Sequence, residues 1–270
     1  MKLAWFSAGW LLLLAAVSGA EAVPVGSKGD SSPAASGVAV IELLDQLRVE
    51  EAAALLPQVP DNDPVGAHAS ALFAFYRGDY EAAAAALPAE GAREGALEER
   101  LGWLRKRLPA VRSATEGMAE KVEGHFIYRY QPGPDAILVE YAGKALEGQR
   151  AAMGKLFGGQ PGLPTVVEFF PDEASFVSAS GLPASWVRTT GTVAICKWDR
   201  ILVLSPRNLS RGYPWQDTLA HEYVHLALSR ASRNHAPVWF HEGSAKLLES
   251  AWRDPLRRDF TGPWAESLLA

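Results

Sequence analysis

His221, Glu222 and His225 stand in the string His221-Glu222-Tyr223-Val224-His225, an H-E-x-x-H spacing within an apolar-rich stretch. On an α-helix, residues four apart lie on the same face about one turn apart. His221 and His225 can therefore offer two imidazole nitrogens to one Zn²⁺, while Glu222 flanks that face within reach of a water on the metal. Zinc so held acidifies water and a neighbouring carboxylate takes the proton, which is the chemistry of peptide-bond hydrolysis. Two His and a Glu also suit a polar helix face with no metal. The surroundings weigh against that: Leu219, Ala220, Val224, Leu226, Ala227 and Leu228 predict a largely buried helix. Buried imidazoles and a carboxylate without partners are costly, and a metal supplies the partner.

The signal for a third ligand lies downstream, in Pro237-Val238-Trp239-Phe240-His241-Glu242-Gly243-Ser244-Ala245. Here the chain resembles the gluzincin branch of zinc metallopeptidases, in which H-E-x-x-H is followed by a second helix carrying W-x-x-E-G-x-A. Trp239, Glu242, Gly243 and Ala245 match that pattern. The resemblance implies one zinc per chain, with Glu242 as its third ligand and the fourth position left for water, as in catalytic rather than structural sites. Gly243 and Ala245 are small, so the second helix can approach the first closely enough for a carboxylate to reach the metal. His241 competes for the third place, although it points about 100° away from Glu242 on a helix. Glu249, two turns beyond Glu242 on its face, suits an outer role, accepting a hydrogen bond from a ligand imidazole. The metzincin spacing H-E-x-x-H-x-x-G-x-x-H is absent.

Residues from about 120 to 270 are most similar to the peptidase MA-like group, exported gluzincin-type proteins often fused to helical repeats. No G-A-M-E-N-type segment precedes the zinc helix, so the acidic anchor for a free substrate amine is missing. The expectation is an endopeptidase acting on a peptide or protein, with Glu222 as general base. The alternative is a catalytically weak or inactive metallo-domain that acts with the helical segment as a protein-binding scaffold. Thr189 to Ala194 is a candidate sheet edge for an extended substrate. Tyr213 and His235 are candidates for an oxyanion donor. Tyr223 points away from the metal face and reads as packing, and Cys196, the only cysteine, as a small buried hydrophobe.

Upstream, Val38 to Leu56 carries apolar residues at helical spacing and is expected to be one helix. Pro64–Tyr76 and Tyr80–Leu87 form a pair around Arg77-Gly78-Asp79, which resembles the junction of a tetratricopeptide repeat. Ala92 to Leu108 is a further helix, expected to stop at Pro109. Solenoids need about three repeats for a continuous core, so a single one reads as a cap that packs on, or docks, a protein partner. Beyond it, Val122–Tyr130, Leu163–Phe170 and Val193–Ser205 each read as a strand, Asp135–Phe157 as a helix, and the segment holding Phe176 and Trp186 as a mixed connector. Helices at Trp215–Arg230 and Phe240–Trp252 follow, then a short tail over Phe260–Ala270. The order is α+β: a zincin-like domain over 120–270 preceded by an α-helical, repeat-like cap over 38–110.

The 270 residues are 48% hydrophobic and 21% charged, values of a globular protein with room for a real core. A net charge of −5 gives no case for nucleic acid, and Arg105-Lys106-Arg107 and Arg257-Arg258 read as solvated faces. With one cysteine there is no intramolecular disulfide. Lys2, the apolar run Leu3–Val17 and Ala20-Glu21-Ala22 have the form of a signal peptide over 1–22, followed by a Gly/Ser/Pro linker over 23–37. The expectation is a periplasmic or secreted protein without a stable membrane span after cleavage. The alternative is an N-terminal membrane anchor.

Overall fold

A computed structural model of the chain describes residues 36–63, 65–90, 95–157 and 162–253. The expected signal peptide, nearly all of the linker and the C-terminal tail lie outside the described residues. Among those described, no helix is long and apolar enough to cross a membrane.

Four short helices open the fold: α1 (Gly37–Asp45), α2 (Val49–Leu55), α3 (Gly66–Tyr76) and α4 (Tyr80–Ala86). The single helix expected over 38–56 is two, because Leu47 turns the chain with φ 52. Ser36 caps α1 through its side chain, and Asp79 caps α4. Between α3 and α4, Gly78 takes φ 70, which lets Tyr80 turn back into the cap core beside Phe75 and Ala83.

The next helix, α5, spans Ala96–Thr115 and passes through Pro109, correcting the expected stop. Pro109 lies on the exposed side, while Leu104, Leu108, Val111 and Ala114 stay buried. Packing on one face therefore outweighs the hydrogen bond lost on the other.

The sheet has five strands in the order β1 (Ala119–Glu123), β2 (Phe126–Tyr130), β3 (Thr165–Phe170), β5 (Arg200–Leu204), β4 (Ala194–Lys197). The central three are parallel, and an antiparallel hairpin closes each side. The sequence pattern predicts a single strand over Val122–Tyr130 and another over Val193–Ser205, and each is instead part of a hairpin. In the second, Trp198 (φ 53) and Asp199 (φ 62) form a tight two-residue turn of the type that requires positive φ at both centres. In the first, Gly124 (φ 59) turns the chain into Phe126. The connector holding Phe176 and Trp186 is also more regular than expected, forming α7 (Glu173–Ser180) and α8 (Ala184–Thr190).

Period-2 alternation gives the sheet two covered faces. Phe126, Tyr128, Val167, Phe169, Ile201 and Val203 face α6 (Leu138–Phe157) and α9 (Trp215–Ala231). Ile195, Leu202, Leu204 and Phe170 face α7 and the end of α5. The last helix, α10 (Val238–Leu248), packs on α9. Its far end is clamped: Gln149 of α6 donates to the Leu248 carbonyl at 3.0 Å, and Trp252 Nε1 donates to Asp217 of α9 at 3.0 Å. A side chain at Gly148 would collide with the Trp252 backbone at 2.8 Å, so glycine permits this approach.

Candidate metal centre

α9 is buried almost all round, with Leu219, Ala220, Tyr223, Val224, Leu226 and Leu228 inside. Tyr223 packs edge-on against Phe126 at 5.7 Å between ring centres, in the packing role expected. The opposite side presents His221, Glu222 and His225 toward β4 and α10.

Three donors converge there. His221 Nε2 and His225 Nε2 are 3.1 Å apart. Glu242 places Oε2 3.9 Å from the first and Oε1 3.7 Å from the second. All three ligand atoms fit within 4.8 Å of one another. A tetrahedral zinc with bonds of about 2.0–2.1 Å needs donors about 3.3 Å apart, so the set fits that ion with small side-chain adjustments. Burial pulls both imidazoles below their ordinary pKa, His225 furthest, helped by the neighbouring His221 and His241. The neutral imidazole is the form that ligates metal. Burial raises the Glu242 carboxyl, whose side chain keeps 36% exposure and opens the cluster to solvent.

Glu222 is 3% exposed, and its Oε2 accepts the Cys196 backbone N–H of β4 at 2.7 Å. Burial pushes its carboxyl up to about 8, with the β4 N–H opposing and the charge of Glu242 adding to the rise. Cys196 therefore acts through its backbone. Its thiol is pushed up by burial and then by Glu222, and it packs beside the apolar core.

The far nitrogens of both imidazoles also have partners. His221 Nδ1 lies 3.3 Å from Glu249 Oε2, the outer role expected of Glu249, which Lys246 also holds at 2.6 Å. His225 Nδ1 lies 3.4 Å from His241 Nδ1. His241 thus faces the back of the His225 ring and stands outside the three converging side chains.

The strand edge beside Glu222 is β4, Ala194–Lys197; Thr189 and Thr190 instead end α8, which stops at Gly191 in the left-handed region. Tyr213 donates its hydroxyl to the Leu204 carbonyl, and its pKa is raised by burial and then by the charge of Glu222, which places it near the cluster; His235 is exposed, with Nδ1 3.3 Å from the Ser232 carbonyl. Ala245 is fully buried on the packed side of α10, whereas a Cβ at Gly243 would meet nothing within 4 Å. Only one of the two small residues thus serves the close approach. Trp239 is 74% exposed and stacks edge-on with Phe240, outside the core.

No family model, curated protein or solved structure matches this chain.

Proposed function

We propose that this chain is an exported zinc-dependent endopeptidase of gluzincin type, with His221, His225 and Glu242 holding the metal and Glu222 as general base. The convergence of the three donors carries the reading. A sheet with a closing antiparallel edge strand, a buried H-E-x-x-H helix and a ligand helix packed on it supports a zincin-like arrangement. Zinc, when bound, supplies a Lewis acid that activates water and polarises a carbonyl.

The protein's own groups do the rest. His221 and His225 stay neutral, and Glu242 brings one negative charge to balance the cation. Glu222 takes a proton and returns it to the leaving amine. Burial lifts the Glu222 carboxyl to about 8 in the metal-free chain, and a cation held by the neighbouring donors would draw it back toward the ionised form that a general base needs. The Cys196 N–H fixes which oxygen of Glu222 faces the donors. β4 offers the extended backbone along which a substrate strand can pair. The absent amine anchor favours internal bonds, and the signal-like N-terminus favours action outside the cytoplasm. In an inert scaffold Glu222 would serve only as the acceptor for the Cys196 N–H, since the metal does not need it for binding.

Zinc-loaded wild type incubated with an unbiased peptide library is expected to cut at internal bonds. Glu222→Gln should keep its zinc and cut about 10²–10⁴-fold more slowly. Equal cutting by both proteins would overturn the mechanism.

A further inference from the structure

The two ligand imidazoles are backed by different chemistry. Behind His221 stands a carboxylate, Glu249. Behind His225 stands a second imidazole, His241, 5% exposed and edge to edge with it, the rings 29° from parallel and 5.5 Å apart between centres. The two Nδ1 atoms face each other at 3.4 Å, at the long end of the hydrogen-bond range. Facing ring nitrogens need one donor and one acceptor. Once His225 Nε2 gives its lone pair to a metal, the neutral ring carries its proton on Nδ1. The acceptor is then His241 Nδ1, and neutral His241 keeps its own proton on Nε2.

We infer that His241 is a positioning residue for the metal centre: its Nδ1 accepts from His225 Nδ1–H and so fixes the tautomer and ring orientation that present His225 Nε2 to the ion. This rests on the proposed His221/His225/Glu242 site. The placement follows from α10. His241 immediately precedes Glu242, so the turn that lifts the carboxylate to the donors swings the imidazole about 100° into the α9–α10 interface. A side chain that only filled space there would have no reason to aim a ring nitrogen at the one polar atom of His225 that faces away from the metal. An imidazole acceptor also differs from the carboxylate behind His221 in adding no further negative charge to a pole that already holds Glu222, Glu242 and Glu249.

The test is zinc affinity by competition with a chromogenic chelator, with the visible spectrum of the cobalt(II)-loaded protein as a geometric readout. His241→Leu removes the acceptor and should weaken zinc about 10–100-fold, the usual effect of losing an outer partner, and shift the cobalt spectrum. His241→Asn puts an amide oxygen near the position of Nδ1, so it should restore most of the affinity and the wild-type spectrum. His241→Gln carries its oxygen one bond further out and should behave like Leu, which keeps the test open if the Leu variant does not fold. Nitrogen-15 spectra of the zinc-loaded protein should place the His225 proton on Nδ1 and the His241 proton on Nε2. If wild type binds one zinc and the Leu, Gln and Asn variants bind equally well with unchanged spectra, this inference fails while the site stands. If wild type binds no zinc, the site fails and takes the inference with it.

Discussion

Two clusters of charge sit on opposite faces of the sheet, and they are finished differently. Beneath the sheet, Glu168 of β3 is fully buried with Arg200 at 3.1 Å, Arg129 at 3.4 Å and the Tyr80 hydroxyl donating at 2.6 Å. Arg200 also donates to Tyr80 and lies over the rings of Phe75, Tyr80 and Trp198. Asp199, at the β4–β5 turn, takes Arg230 of α9 at 2.7 Å and Arg77 of the cap at 3.7 Å. Every carboxylate there meets guanidinium groups of the protein. Above the sheet, Glu242 faces only imidazoles and Glu222 only a backbone N–H; among the described residues neither pairs with a Lys or Arg. The matched cluster joins cap to sheet. The unmatched one gathers neutral and anionic donors around a point that suits a cation.

The largest expected effect breaks the matched side. Arg200→Leu leaves Glu168 buried with part of its charge unanswered and should cost about 3–5 kcal/mol in chemical denaturation. Adding Glu168→Leu should recover part of that loss, because the stranded charge goes with it. If Arg200→Leu unfolds at the wild-type denaturant concentration, the network does not hold the cap. On the unmatched side the order reverses. In chelator-treated protein, Glu242→Ala should stay within about 1 kcal/mol of wild type, since it removes a half-exposed carboxylate with no cationic partner. A loss as large as that of Arg200→Leu would erase the distinction between the clusters.

How much of this was readable in the sequence depended on whether the signal was local. The H-E-x-x-H and W-x-x-E-G-x-A strings carry their spacing within single helices, so α9, α10 and the donors were legible from pattern and resemblance. The 3.4 Å contact of His241 with His225 depends on how two helices cross, which no spacing encodes. Val193–Ser205 hid a hairpin because Trp198-Asp199 is an unusual pair for a turn needing two positive φ values. Pro109 misled in the other direction, since burial of Leu108 and Val111 outweighed a local stop signal. The matched network joins residues from the cap, β2, β3, β5, the β4–β5 turn and α9, and nothing in the chain order announces it.

A smaller effect concerns pH. His68 of α3 is 2% exposed, neither ring nitrogen has a hydrogen-bond partner among the described residues, and burial pulls its pKa from 6.5 to about 4. A group depressed in the folded state binds fewer protons there than in the unfolded chain between those values. Its stabilising effect is therefore full above about pH 6.5 and is lost as pH falls toward 4, by about 3 kcal/mol at roughly 1.4 kcal/mol per unit. His68→Leu should flatten that acid limb in denaturation midpoints measured from pH 7 to 4; an unchanged slope would place the acid sensitivity elsewhere. The smallest effect sharpens the metal side. Glu249→Gln keeps an acceptor for His221 but drops its charge, and should weaken zinc by about tenfold or less, well short of losing a ligand.

The most direct measurement is zinc stoichiometry after exposure to excess zinc and gel filtration, for wild type and Glu242→Ala side by side. The account predicts one zinc per chain in wild type, removable by chelator, and little or none in the alanine variant. A wild type that emerges metal-free, or an alanine variant that retains as much zinc as wild type, would contradict it.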